Sequence, residues 1–190
     1  MSPLDKLQAS LIVKGEIRMK RALQQGQSDG LCGIYSLLNF LIRTRGFGWQ
    51  DSSDSLWYLL DASRQLGCFN PYTLTQGFEE HQLKAIIDLQ FENYRMPYKT
   101  FSIGELSKQV GIKNFYDLAN KVTVKNGSLI ASWDRRNHWV LVTAEAGDMV
   151  VIDSAAGGKA LSLNRRQKSL TLAGGLIILP KERPPLEVSL

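Results

Sequence analysis

The pattern of apolar residues changes at Asn126-Gly127, and this change limits the folds that the chain can adopt. Before this point apolar residues recur mostly at helical spacing, whereas short runs rich in Val, Ile and Leu, separated by turn residues, follow it. The runs are SLIASW, HWVLVTA, MVVID, KALSL and GLIILP. Helices followed by strands predict an α+β fold in which helices pack against a C-terminal antiparallel sheet.

Helices are predicted in several parts of the chain before this point. The longest apolar pattern starts at Cys32 and predicts a mostly buried helix that ends near Gly46. The stretch 51–127 reads mostly as helices: one starts at Ser53 or Asp54 and ends by Gly67, and another runs up to Tyr94. SIGE at 102–105 resembles a capping box, and NFYDLANKV predicts a further short helix.

The length and composition suit one domain with its own apolar core. The chain has 190 residues, of which 44% are hydrophobic, so a core forms without disulfides or a structural metal. We expect a single domain over 1–180, with a helical lobe over about 1–126 and a sheet lobe over about 127–180. Residues 181–190 read as a tail.

Charge and cysteine content exclude several classes of function. The net charge is +5, but no basic stripe alternates with aromatic residues, so we expect no nucleic-acid partner. The two cysteines, Cys32 and Cys68, form no CxxC pair, which argues against a disulfide scaffold and zinc; no metal or cofactor is expected. No signal segment or transmembrane run is recognised, so we expect a cytoplasmic protein without membrane contact, with signal-independent export left open. The oligomeric state stays open.

Cys32 lies at the point where the loop QQGQSDG turns into the buried helix. A cysteine attacks as its thiolate, and the backbone N–H groups at a helix start favour negative charge. Gly30 and Gly33 flank it and would allow backbone or substrate to approach closely. Cys32 is therefore the candidate nucleophile.

A thiol nucleophile needs a nearby base, and the chain has two histidines. His81 lies within a polar part of a predicted helix and reads as a surface residue. His138 begins the strand HWVLVTA after the turn DRRN, where a sheet can present a functional side chain. His138 is the candidate base.

Asp153 is the candidate group that orients the imidazole. If AEAGD is a hairpin turn in which Ala144 pairs with Met149, then Val140 pairs with Asp153. His138 and Asp153 then lie on one face of the sheet as diagonal neighbours. A slip of one residue would move Asp153 to the opposite face.

Attack on a carbonyl also needs an oxyanion hole. The backbone N–H of Cys32 can supply one donor, and a side-chain amide just upstream can supply another. Gln25 and Gln27 are both available. Taken singly, Cys32, His138 and Asp153 each have an ordinary structural explanation; it is their order and spacing that favour a functional site. Cys68 reads as packing.

The motifs QSDGLCG, NHWVLV and VVIDSA resemble those of the papain-like cysteine peptidases. They are most similar to bacterial peptidases that resemble the double-glycine leader peptidases of bacteriocin exporters. The resemblance implies a helical lobe that carries Cys32 as nucleophile, and a sheet that carries His138 as base and acid and Asp153 as orienter. The substrate-binding cleft would lie between them, and Trp133 and Trp139 could line it or belong to the core.

This chain departs from the family pattern at two positions. The family places its oxyanion Gln six residues before the Cys, where this chain has Gly26, so Gln27 is favoured over Gln25. The family's Asp directly before the Cys is replaced by Leu31. DGLC also resembles a motif of ovarian-tumour-domain deubiquitinases, which makes Asp29 a further candidate for the oxyanion hole.

The sequence therefore predicts a thiol hydrolase that cleaves a peptide or isopeptide bond of a peptide or protein through an acyl-enzyme. Two alternatives stay open. The same triad could deamidate or transglutaminate a protein, or the chain could be a catalytically silent binding module with a papain-like fold.

Overall fold

The computed structural model describes residues 30–45, 49–133, 138–155, 160–164 and 170–181. In these ranges six helices and six strands follow in chain order. The helices are α1 (Cys32–Arg45), α2 (Trp49–Gln65), α3 (Pro71–Gln76), α4 (Glu80–Asn93), α5 (Ile103–Gln109) and α6 (Phe115–Val124). The strands are β1 (Tyr98–Ser102), β2 (Ser128–Trp133), β3 (His138–Glu145), β4 (Asp148–Ile152), β5 (Ala160–Ser162) and β6 (Leu170–Pro180).

The strands form one antiparallel sheet in the order β1-β6-β2-β3-β4-β5. The five runs predicted after Asn126-Gly127 supply β2 to β6. Strand β1 differs from the sequence interpretation, because it lies in the stretch read as mostly helical and before the expected start of the sheet lobe. It pairs with β6, with Tyr98 opposite Pro180. The periodicity of neighbouring residues cannot predict a partner so distant in the sequence.

Apolar side chains cover both faces of the sheet. On one face, residues of α1, α2 and α4 pack against Ile130, Trp139 and Leu141. On the other face, residues of α6 pack against Val140 and Val142. Because side chains alternate along each strand, β3 contributes Trp139 to the first layer and Val140 to the second.

Helix α1 is apolar on almost every side, as predicted, because it lies between the sheet and α2 and α4. Its residues Ile34, Leu37, Leu38, Leu41 and Ile42 are all buried. The helix is fixed to β3 at both ends: its first residue, Cys32, contacts Trp139, and Arg43 near its last turn forms an ion pair with Glu145. Burial lowers the pKa of Arg43. The helix therefore runs along β3 with its first turn at the start of the strand.

Two predictions about helix starts are wrong. Ser102 precedes α5 but makes no capping bond, since its hydroxyl donates to the Glu80 carboxylate at 2.6 Å. Helix α2 begins at Trp49, before the expected Ser53 or Asp54. The helices predicted up to Tyr94 and from NFYDLANKV are confirmed as α4 and α6, and α6 is capped by Asn114.

Candidate active site

Cys32 is the first residue of α1, and its side chain is 3% exposed. The backbone before it is held by α3: the Gly30 N–H donates to the Leu74 carbonyl at 2.5 Å. A Cβ on Gly30 would lie 2.4 Å from the backbone nitrogen of Gly77, so only glycine fits there. The predicted close approach at Gly30 is thus made by the protein's own backbone.

His138 and Asp153 meet as the hairpin register predicts. Strands β3 and β4 pair Ala144 with Met149, which confirms the expected register, and its continuation beyond Ile152 places Asp153 opposite Val140. The hairpin loop is tighter than expected, since only Ala146 and Gly147 connect the strands. Both have positive φ, 49° and 91°, as two-residue hairpin turns require.

A hydrogen bond of 2.8 Å joins His138 Nε2 to Asp153 Oδ1. The same carboxylate oxygen accepts the backbone N–H of Ala155 at 2.9 Å, which fixes the carboxylate in the turn after β4. With Nε2 engaged by a carboxylate, the ring carries its proton there and directs Nδ1 away from Asp153.

The imidazole of His138 interacts with the sulfur of Cys32 as well as with Asp153. The hydrogen bond to Asp153, followed by the hydrogen bond to Cys32, raises the pKa of His138 from 6.5 to about 10, against a smaller opposing effect of burial. A histidine with this pKa is an imidazolium at neutral pH. The structure thus brings Cys32, His138 and Asp153 together in a hydrogen-bonded series.

Trp139 connects the sulfur to the rest of the core. Its backbone N–H donates to Cys32 Sγ at 3.3 Å, and its indole N–H donates to the Phe78 carbonyl at 2.9 Å. The side chain is 4% exposed, so Trp139 belongs to the core and does not line an open cleft. Trp133 is half-buried against the opposite apolar layer.

Ser36 is a residue of this site that the sequence reasoning missed. It lies one helical turn after Cys32, it is buried, and its hydroxyl donates to the Trp139 carbonyl at 3.1 Å. The sequence signal for Ser36 is its spacing from Cys32. Residues four apart share a helix face, so Ser36 faces the same neighbouring element as Cys32.

The three candidates for the second oxyanion donor, Gln25, Gln27 and Asp29, lie outside the described residues. The two residues read as non-functional lie apart from the triad contacts. His81 is exposed on α4 beside Glu79, and Cys68 is half-buried after α2, where its thiol donates to the Leu66 carbonyl at 3.5 Å.

Within the described ranges, no three His, Cys, Asp or Glu side chains cluster as ligands of a metal ion. In the same part of the chain, no helix combines the length and the apolar character that crossing a bilayer requires.

Comparison with known proteins supports the architecture. No protein-family model matches the sequence, and no curated protein does. Among solved structures, the chain is similar to the peptidase domain of Streptococcus ComA, a bi-functional ABC transporter involved in a quorum-sensing pathway. The two share 14% sequence identity at a TM-score of 0.51, over 85% of this chain and 98% of that one.

At this level of identity the likeness establishes the fold alone. The fold is α+β and papain-like, as the sequence predicted, and it is the fold of a peptidase domain.

Proposed function

We propose that this protein is a cysteine peptidase, a thiol hydrolase that cleaves a peptide or isopeptide bond through an acyl-enzyme. The observation that carries the proposal is the continuous series of contacts from Asp153 through His138 to Cys32. The papain-like fold adds support, because the neighbour with this fold is a peptidase domain.

Cys32 is the nucleophile. The N–H of Trp139 donates to the sulfur, the His138 imidazolium lies beside it, and Cys32 is the first residue of α1, at the positive end of the helix dipole. Hydrogen-bond donors and a cation beside a sulfur stabilise a thiolate, the form of cysteine that attacks a carbonyl carbon. The attack forms a C–S bond and moves an electron pair onto the carbonyl oxygen.

His138 acts first as acid and then as base. Its proton goes to the leaving amine as the C–N bond breaks, which leaves a thioester on Cys32 and a neutral imidazole. The imidazole then takes a proton from a water molecule that attacks the thioester. Release of the carboxylic acid product restores the thiolate and the imidazolium.

Asp153 keeps the imidazole in the orientation that this sequence needs. By accepting the proton of Nε2, its carboxylate leaves Nδ1 as the nitrogen that exchanges a proton at the sulfur side. The bond from Ala155 N–H limits rotation of the carboxylate itself. The role of Asp153 is thus electrostatic and orienting.

The negative oxygen of the tetrahedral intermediate needs donors aimed at it. We assign the backbone N–H of Cys32 as one donor and the side-chain amide of Gln27 as the other, with Gln25 and Asp29 less favoured. The contribution of one such side-chain donor to kcat is about 10²-fold. Gln27→Ala and Gln25→Ala, assayed side by side, identify which amide acts.

The proposal is tested by incubating the protein with a diverse peptide library and reading products by mass spectrometry. Cleaved peptides that disappear with Cys32→Ala support it. Release of ammonia without chain cleavage would instead assign deamidation, the rival acyl transfer open to the same triad. A protein that cuts nothing and does not react with a peptide-vinyl electrophile would be a binding module.

A further inference from the structure

At Trp139 of β3, helix α1 provides the hydrogen-bonding partners that a neighbouring strand would otherwise provide. Trp139 uses both of its backbone groups toward α1: its N–H donates to Cys32 Sγ at 3.3 Å, and its carbonyl accepts the Ser36 hydroxyl at 3.1 Å. The N–H and C=O of a strand residue point to the same side, as they do toward a paired strand. Cys32 and Ser36, one helical turn apart, occupy the two places that a paired residue would fill.

The two contacts are mechanically linked. Both belong to Trp139, and His138 directly precedes it, so a shift of this part of β3 against α1 moves the amide and the imidazole together relative to the sulfur. The Ser36 hydroxyl fixes the carbonyl of this residue. It is 1% exposed, and water does not replace it readily.

We propose that Ser36 is a positioning residue for the nucleophile, which holds the Trp139 amide and the preceding His138 in register with Cys32 Sγ. Ser36 does not touch the substrate. It acts by keeping the Trp139 N–H aimed at the sulfur, where this donor favours the thiolate. The inference rests on the proposed thiolate–imidazolium pair and adds the residue that holds it in place.

The test is the rate at which iodoacetamide alkylates Cys32 as a function of pH, followed by mass spectrometry of the Cys32 peptide. Ser36→Ala should slow alkylation at pH 7 by about five- to tenfold, the size of one lost hydrogen bond. The difference from the wild type should be smaller at high pH than at pH 7, because a free thiol ionises as the pH rises even without a hydrogen-bond donor. Ser36→Thr keeps the hydroxyl and should restore much of the neutral rate.

Ser63→Ala is the matched control. Ser63 is also a buried helical serine whose hydroxyl donates to a backbone carbonyl, that of Leu60 at 2.7 Å, but it lies in α2 away from Cys32. This variant should lose stability to a similar extent and keep the alkylation rate within about twofold. A pH profile for Ser36→Ala that superimposes on that of Ser63→Ala would overturn the inference.

A second measurement needs no variant. The amide proton of Trp139 in the wild-type protein should shift in the NMR spectrum when Cys32 is alkylated, because it loses its sulfur acceptor. An unchanged Trp139 amide would also overturn the inference. Alkylation reports on the thiol whether or not a peptide is cut, so absent peptidase activity would count against the proposed function alone. A wild-type Cys32 that alkylates no faster than Cys68 would overturn both.

Discussion

The two cysteines of this chain lie in opposite chemical surroundings. Cys32 is almost fully buried, yet the groups around its sulfur are donors and a cation: the N–H of Trp139, the start of α1 and the His138 ring. Cys68 is more exposed, but the group nearest to its sulfur is an acceptor, the Leu66 carbonyl at 3.5 Å. A donor stabilises a thiolate, whereas an acceptor binds the proton of the neutral thiol. We therefore expect the reactivity of the two cysteines to follow the neighbours of each sulfur more than its access to solvent.

The largest expected effect comes from removing each sulfur in turn. Cys32→Ala should lower peptide hydrolysis by about a thousandfold or more, since the proposed acyl-enzyme forms on Cys32. Cys68→Ala should leave kcat/KM nearly unchanged. A comparable loss in both variants, measured on the same cleaved peptide, would remove the distinction between the two sites.

The next largest effect is expected from removing the negative charge of Asp153, which holds the His138 imidazolium beside Cys32. Asp153→Asn keeps the side-chain shape and an oxygen for Ala155 N–H, but it no longer holds the imidazolium. We expect kcat/KM to fall by about 10²- to 10⁴-fold. Because the bond to Asp153 is the largest cause of the raised pKa of His138, that pKa should fall well below about 10.

The pKa is measured by NMR in a His81→Gln background, which leaves His138 as the single histidine of the chain. The pKa of His138 is then compared in that background with and without the Asp153→Asn substitution. An unchanged pKa of His138 would show that Asp153 does not hold the imidazolium.

A smaller effect is expected from the packing that holds β3 against the α3–α4 junction. Trp139→Phe removes the indole N–H and leaves the buried Phe78 carbonyl without its donor at 2.9 Å. The free energy of unfolding in urea should fall by roughly 1–3 kcal/mol. Trp57→Phe is the control, because Trp57 is 72% exposed and its replacement should change stability by less than about 0.5 kcal/mol. Equal losses in the two variants would contradict the tethering role of Trp139.

The last effect concerns the dependence of stability on pH. The pKa of His138 is raised above its ordinary value of 6.5 to about 10, so protonation of the folded state contributes stability in full below about pH 6.5. This contribution is lost as pH rises through about 10. The free energy of unfolding should therefore fall more steeply over this window in the wild type than in His138→Gln. Parallel curves would indicate that His138 is not held as a cation.

Local pattern predicted the part of the site that depends on one hairpin. The turn residues AEAGD and the alternation of HWVLVTA set the β3–β4 register, and counting from Ala144 and Met149 then placed His138 and Asp153 on one face. A hairpin leaves little choice of partner, so the geometry follows from adjacent residues. The buried helix from Cys32 was also predicted from adjacent residues, because its apolar positions follow helical spacing.

The contacts that the pattern did not predict join distant parts of the chain. The meeting of Cys32 with β3 was expected from the family resemblance and not from spacing, since 107 residues separate Cys32 from Trp139. Strand β1 is short and pairs with the distant strand β6, and the Ser102 hydroxyl donates to Glu80 instead of capping α5. In each case a tertiary partner overrides the local preference.

The central claim is that a buried sulfur is activated by an imidazolium that an aspartate holds in place. The most direct test is competitive labelling of the unmodified protein with a limiting amount of iodoacetamide at pH 7, with both cysteine peptides quantified by mass spectrometry. We expect Cys32 to be modified well before the more exposed Cys68, and we expect His138→Gln to remove this preference. Faster modification of Cys68 in the wild-type protein would contradict it.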